Sequence, residues 1–151
     1  MPTSTRYRNT KIKKGSVRRK SRSSGGIDWV NAPDIKKKVA SYIKSLGIKN
    51  YEVSRIICYR STGAKTRAYA RIWGLSRVWQ QALKIKPAYI LEVISEKFDR
   101  LSEHQKEEVL LHEIAHIPMN FSGALIPHKR RGAGNFHDKL KKMILEYGRA
   151  K

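Results

Sequence analysis

His112, Glu113 and His116 lie in the stretch Val109-Leu110-Leu111-His112-Glu113-Ile114-Ala115-His116-Ile117-Pro118. Residues four apart on a helix stand one above the other on the same face. Two imidazoles so placed can reach one Zn²⁺ at about 2.0–2.1 Å. Glu113, beside the first imidazole, is where a carboxylate can take a proton from a water on that metal. A catalytic zinc also takes a third protein ligand and leaves a position open for water. Two histidines are candidates. His128 ends the loop Phe121-Ser122-Gly123-Ala124-Leu125-Ile126-Pro127-His128, which can fold back under the helix; His137 opens the last helical segment, where a first-turn side chain is rigidly aimed. Spacing alone leaves both open, and His104 reads as a solvent-facing residue.

The helix that must carry the first two histidines is well marked. Ser102 and Gln105 form a capping-box start, and Glu103, Glu107 and Glu108 put negative charge in the early turns. Val109, Leu110, Ile114 and Ala115 supply an apolar stripe, and Pro118 stops the helix after His116. Upstream, Ala32-Pro33-Asp34 opens a helix running to about Ser45, with Ile35, Val39, Tyr42 and Ile43 on one face and Gly47 closing it. Residues 51–60 have the β-branched and aromatic character of a strand. From Thr66 to Trp73, Ala68, Ala70 and Ile72 alternate with Arg67, Tyr69 and Arg71, which predicts a half-buried strand with a basic outer row. Residues 77–84 read as a short helix turning Val78, Trp79 and Leu83 inward, and residues 88–94 as a third strand. Residues 119–135 form a loop, and Phe136–Tyr147 closes the chain as a helix with Leu140, Met143, Ile144 and Tyr147 inward.

This order predicts an α+β domain: a small three-stranded sheet, mixed or antiparallel, packed by an N-terminal helix, the helix of His112 and His116, and a C-terminal helix. The short turn at 61–65 favours antiparallel pairing of the strands on either side of it. With 151 residues there is room for one core and hardly two. The expected division is a basic tail, residues 1–26, unable to fold alone, and a domain at 27–151. The single Cys58 excludes an intrachain disulfide, reads as a small buried apolar residue, and suits the reducing cytoplasm. No stretch approaches the ~20 apolar residues of a membrane span, and the N-terminus lacks the apolar region of a secretory signal. No membrane partner is expected.

Charge is the second large fact. Thirty-three Lys and Arg against 12 Asp and Glu give +21. Solubility needs far less, and a surface merely rich in ion pairs would balance the two signs. So dense a positive field points to a polyanion. In the tail, Arg6, Arg8, Lys11, Lys13, Lys14, Arg18, Arg19, Lys20 and Arg22 are interleaved with Ser, Thr and Gly and no acid; Lys129, Arg130 and Arg131 form a second run. These are the candidate nucleic-acid contacts.

His112-Glu113-Ile114-Ala115-His116-Ile117-Pro118, followed by Phe121-Ser122-Gly123-Ala124-Leu125 and Pro127-His128, resembles the archaeal and phage metallopeptidases. Ala70-Arg71-Ile72-Trp73-Gly74-Leu75 and Tyr89-Ile90-Leu91-Glu92-Val93-Ile94 share the resemblance, which spans about residues 50–137. It implies a minimal zincin-like domain, similar in outline to the SprT type, with Zn²⁺ as cofactor. The archaeal-type loop implies His128 as the third ligand; the phage-type pattern of a His-Asp opening the last helix matches His137-Asp138, which leaves the roles of ligand and transition-state donor open between the two. Ala115 stands where the family usually has Leu, and the basic segments look like additions. Two expectations follow. One is a zinc metallopeptidase with Glu113 as base, acting near nucleic acid, RNA in a ribonucleoprotein or ribosome above all. The other is a non-catalytic, ribosome-associated, rRNA-binding protein that keeps a zincin fold and its metal site.

Overall fold

The structure of the protein is a computed structural model that describes residues 25–128 and 135–151. Strand β1 (Asp28–Asn31) leads directly into helix α1 (Pro33–Ser45), and after a turn of 3-10 helix at Val53–Arg55 come β2 (Ile56–Thr62) and β3 (Ala70–Gly74). Helix α2 (Arg77–Leu83), β4 (Tyr89–Ile94), the single-turn α3 (Ser95–Phe98), α4 (Glu103–Ala115) and α5 (Phe136–Ala150) complete the elements of the described residues. The class is α+β, as the sequence predicts, with a mixed sheet of four strands rather than three in the order β1-β2-β4-β3.

The three-strand expectation fails at β1. Its four residues are all exposed and show no alternation; they become a strand only by antiparallel pairing with β2, Asp28 opposite Thr62 through Asn31 opposite Tyr59. The antiparallel neighbour expected across residues 61–65 also fails. β4 inserts between β2 and β3, parallel to the first (Ile56 opposite Tyr89) and antiparallel to the second (Ala70 opposite Val93). β4 suits that central place because Tyr89, Leu91 and Val93 on one side and Glu92 and Ile94 on the other are all buried.

One face of the sheet carries the core. Ile56 and Cys58 of β2, Ala70 of β3, and Tyr89, Leu91 and Val93 of β4 join Ile35, Val39, Tyr42 and Ile43 of α1, Leu110, Leu111, Ile114 and Ala115 of α4, and Phe136 and Met143 of α5. α1, α4 and α5 therefore share that face. α1 starts with Pro33 in its first turn and ends at Gly47, whose φ of +65° is the left-handed conformation that closes a helix at least cost to glycine. Cys58 is buried and free, and burial pushes its thiol up to about 11.

Two inward assignments are corrected. α2 exists, but Val78 and Trp79 are 72% and 58% exposed and Leu83 is exposed too. Seven residues form a helix there without an apolar neighbour among the described residues to bury them. In α5, Met143 is buried and Leu140 and Tyr147 pack on the core, whereas Ile144 faces out. No described helix is long and apolar enough to cross a membrane.

Candidate metal centre

α4 begins with the capping box read from the sequence: Ser102 Oγ accepts from the Gln105 amide at 3.2 Å, and Gln105 Oε1 from the Ser102 amide at 3.0 Å. Leu110, Leu111, Ile114 and Ala115 are buried, which leaves His112 and Glu113 on the side facing the cleft. His116 is the capping residue at the helix end, its amide bonded to the Glu113 carbonyl. The carbonyl of Ile117, one residue on, accepts from the Tyr51 hydroxyl and from the ammonium of Lys139 on α5. A cation there also complements the negative end of the helix dipole. Burial holds the Lys139 ammonium down at about 8.

The loop after α4 is pinned at several points. The Tyr89 hydroxyl accepts from the Gly123 amide at 2.8 Å and donates to the Ala124 carbonyl at 2.9 Å. Gln80 Nε2 donates to the Ser122 carbonyl at 2.9 Å, tying α2 to the same loop. Phe121 packs its ring edge-on against Tyr89 at 4.9 Å. Gly123 has a φ of +88°, and a Cβ there would lie 2.2 Å from the Leu75 carbonyl oxygen; a Cβ on Gly74 would meet the Gly123 carbonyl at the same distance. Only two glycines allow the backbones to come so close. Finally the Ile126 amide donates to the His116 carbonyl at 2.8 Å, and His116 Nδ1–H donates to the Ile126 carbonyl at 2.6 Å.

That pinning brings His128 under the helix. His112, His116 and His128 each offer a ring nitrogen, all within 4.8 Å of one another. His112 Nε2 and His128 Nε2 face each other across 3.0 Å. Ring centroids are 5.2 Å apart for His112 and His116, 5.1 Å for His112 and His128, and 4.5 Å for His116 and His128. Beneath them lies Phe136, fully buried at the start of α5. Its ring stacks on His116 at 4.2 Å and meets His112 and His128 edge-on at 4.9 and 4.7 Å. The three imidazoles rest on this one ring.

Burial, and then the neighbouring imidazoles His116, His128 and His137, hold His112 down at about 4. Burial also lowers His116, against the pull of its bond to Ile126. Both rings are neutral at pH 7, as metal ligands must be. Burial pushes the Glu113 carboxyl up to about 7, the range of a useful general base. Glu113 opens with the three histidines on a cleft of about 670 Å³, walled on its other side by Ala70 to Trp73 of β3 and by Ala68 and Tyr69 just before it.

His137 is exposed in the first turn of α5 and outside the three-imidazole cluster, although its charge weighs on His112. His104 is exposed and faces Glu108 at 3.3 Å. Arg6, Arg8, Lys11, Lys13, Lys14, Arg18, Arg19, Lys20, Arg22, Lys129, Arg130 and Arg131 lie outside the described residues. The sequence reading missed Tyr89, Gln80 and Phe136. Phe136 had a signal: it heads the stripe 136, 140, 143, 147 of α5, a helical repeat that puts Phe136 inward and His137 to the side.

Comparison with known proteins agrees with the geometry. The chain has no match among curated proteins or solved structures. A family model described as "Putative phage metallopeptidase" matches residues 27–146, well over half of the chain. A chain whose matched region holds three converging imidazoles beside a carboxylate in a cleft belongs to that phage metallopeptidase family.

Proposed function

We propose that the protein is a zinc-dependent peptidase held on nucleic acid, RNA in a cytoplasmic ribonucleoprotein above all. The observation that carries the catalytic half is the convergence of His112, His116 and His128 beside Glu113. The donor set fits zinc. Nitrogens at about 2.0–2.1 Å from a tetrahedral ion stand ~3.3 Å apart, near the 3.0 Å between His112 Nε2 and His128 Nε2. The Nδ1–H of His116 is committed to Ile126, which leaves Nε2 as its free donor and fixes the ring's tautomer. His112, His116 and His128 would hold the ion, which would supply Lewis acidity toward the attacking water and the substrate carbonyl. Glu113 takes the proton of the attacking water and returns it to the departing amine. β3 is the last strand of the sheet order, so its outer edge is unpaired among the described residues and borders the cleft. An extended peptide can pair with that edge and present its carbonyl to the site.

The test is a set of single variants. His112→Ala, His116→Ala and His128→Ala each lower zinc affinity at least roughly 100-fold in chelator competition, since each leaves two imidazoles where structural and catalytic sites use three or four ligands. His137→Ala leaves affinity near wild type. Glu113→Gln keeps the metal and loses hydrolysis of an unfolded protein substrate. Wild-type affinity in all four His variants would overturn the metal site.

The charge of +21 supports the nucleic-acid half and also favours a second reading, a non-catalytic rRNA-binding protein that retains its metal site. Zinc-dependent hydrolysis lost in Glu113→Gln separates the two. In the proposed organisation, residues 1–26 are a phosphate-binding tail on a domain at 27–151. Nine basic residues lie in the tail and three at 129–131. Half of them on phosphates would give a slope of about −4 to −5 in log affinity against log salt. Replacing the nine tail residues by Gln should flatten it; an unchanged slope would remove the tail from the interface.

A further inference from the structure

The face of the sheet turned away from α1, α4 and α5 carries a buried carboxylate that catalysis does not use. Glu92 is fully buried at the centre of that face, opposite Tyr59 on β2 and Arg71 on β3. Arg71 reaches it with two nitrogens, Nε to Oε2 at 3.1 Å and Nη2 to Oε1 at 2.9 Å. Trp29 Nε1, from β1, donates to Oε1 at 3.3 Å, and Trp73 Nε1, from β3, to Oε2 at 2.9 Å. Four N–H donors fill the acceptor sites of one carboxylate. The two indoles thus lean toward each other from the two edge strands, and the Arg71 guanidinium lies over the Trp73 ring, 5.3 Å from its centroid.

Burying a carboxylate is costly unless it is fully bonded, and what this one fixes is the attitude of two side chains that remain open to solvent. Trp29 is 51% and Trp73 49% exposed, and Ile57 of the same face is exposed beside them. Half-exposed indoles held rigid by their N–H groups present π faces at little entropic cost on binding. Glu92 is the one acid that the strand registers place on this face, and its charge is covered. Asp28 belongs to the opposite face by alternation. Removing the nine basic residues of 1–24 and the three of 129–131 from the total of 33 leaves 21 in the described residues against all 12 acids, so the described part is itself cationic. An aromatic and guanidinium surface without free negative charge, on a cationic body, matches a polyanion whose bases are available for stacking. Duplex bases are already stacked, so that partner is single-stranded.

We propose that this face is a stacking platform for single-stranded RNA, with Trp29 and Trp73 receiving neighbouring bases. The proposal rests on the nucleic-acid reading above for the class of partner; it uses none of the metal-site histidines, although Arg71 and Trp73 also border their cleft.

The test uses the full chain and a labelled 12-nucleotide oligouridine, followed by anisotropy and by quenching of tryptophan fluorescence across a salt series. At roughly 0.5 M salt the phosphate contribution is weak and stacking carries the binding. Trp29→Ala and Trp73→Ala should each then lose about five- to a hundred-fold in affinity. Trp29→Phe and Trp73→Phe keep a π face while losing the N–H bond to Glu92, so they should lie between wild type and Ala. Melting curves and zinc affinity on every variant show that the fold and the metal site persist. An RNA duplex of equal length should bind more weakly at this salt and ignore the substitutions. Ala variants that bind oligouridine like wild type would overturn the platform, as would Phe variants as impaired as Ala. Wild-type RNA binding with a variant-dependent change in sedimentation would overturn it in favour of a protein interface. A steep salt slope that survives in all variants, with no effect of either tryptophan, would refute the platform alone; absence of RNA binding at any salt would refute the broader reading with it.

Discussion

Gly123→Ala tests whether the loop geometry, rather than the histidines alone, makes the metal centre. The glycine's φ of +88° lies in the left-handed half of conformational space, where a side chain costs about 1–2 kcal/mol. The added Cβ would sit 2.2 Å from the Leu75 carbonyl oxygen and 2.3 Å from Gln80 Nε2. Gln80 can swing away; the Leu75 backbone, bonded through its amide to the Ala88 carbonyl, cannot. The loop must therefore lift, breaking the bond from the Gly123 amide to the Tyr89 hydroxyl. A buried partner left unmade costs about 1–3 kcal/mol. The two effects together come to about 3 kcal/mol, or a fall in melting temperature of roughly 6–12 °C for a chain of this size. His128 lies five residues along the displaced loop, so zinc affinity should also fall, toward that of His128→Ala. The assay is thermal melting with and without zinc, together with chelator competition. Gly123→Ala that melts like wild type and binds zinc equally well would show that the close Gly74–Gly123 approach does not set the position of His128.

Phe136→Ala removes a fully buried ring and should cost about 3–5 kcal/mol; zinc should recover part of this if the imidazoles have only lost their support, and a melting point unaffected by the substitution would refute the packing. At Glu92, burial pushes the carboxyl up, but the bonds from Arg71 and Trp73 outweigh it and hold it below the ordinary value of about 4.5. Such a group contributes stability that is fully present above about pH 4.5 and is lost as pH falls through the lower folded value. Acid unfolding of the wild type should therefore be steeper below pH 4.5 than that of Glu92→Gln, as read by urea midpoints at a series of pH values. Parallel curves would show that the carboxylate titrates alike in both states.

Local signals made the site's helix legible. Ser102 and Gln105, the stripe from Val109 to Ala115, and Pro118 act within a few residues of one another, and so did Pro33 and Gly47 for α1. What escaped depends on contacts distant in the chain. Residues 28–31 carry no strand pattern and are a strand only because residues 59–62 lie beside them. The place of β4 between β2 and β3 is likewise a matter of tertiary packing, which a short turn at 61–65 does not determine. Trp79 and Leu83 show the converse, apolar residues at helical spacing that find no surface to bury against among the described residues. Between His128 and His137, spacing was silent; the Gly74–Gly123 approach and the pairing of His116 with Ile126 bring the first into the cluster, and the inward turn of Phe136 carries the second away.

The mutual bonds between His116 and Ile126 tie an imidazole of the cluster to the loop that bears another. Under the proposed zinc reading, ion release and local opening of that loop become one equilibrium. An ion that binds only the closed loop stabilises closure by RT ln(1 + [Zn²⁺]/Kd), about 2.7 kcal/mol at one hundred times Kd. The amides of Gly123 and Ile126 then exchange with solvent about one hundred times more slowly in the loaded protein, through a local opening that releases the ion without unfolding the sheet. Metal occupancy would be written in the exchange rates of a loop that supplies a single ligand.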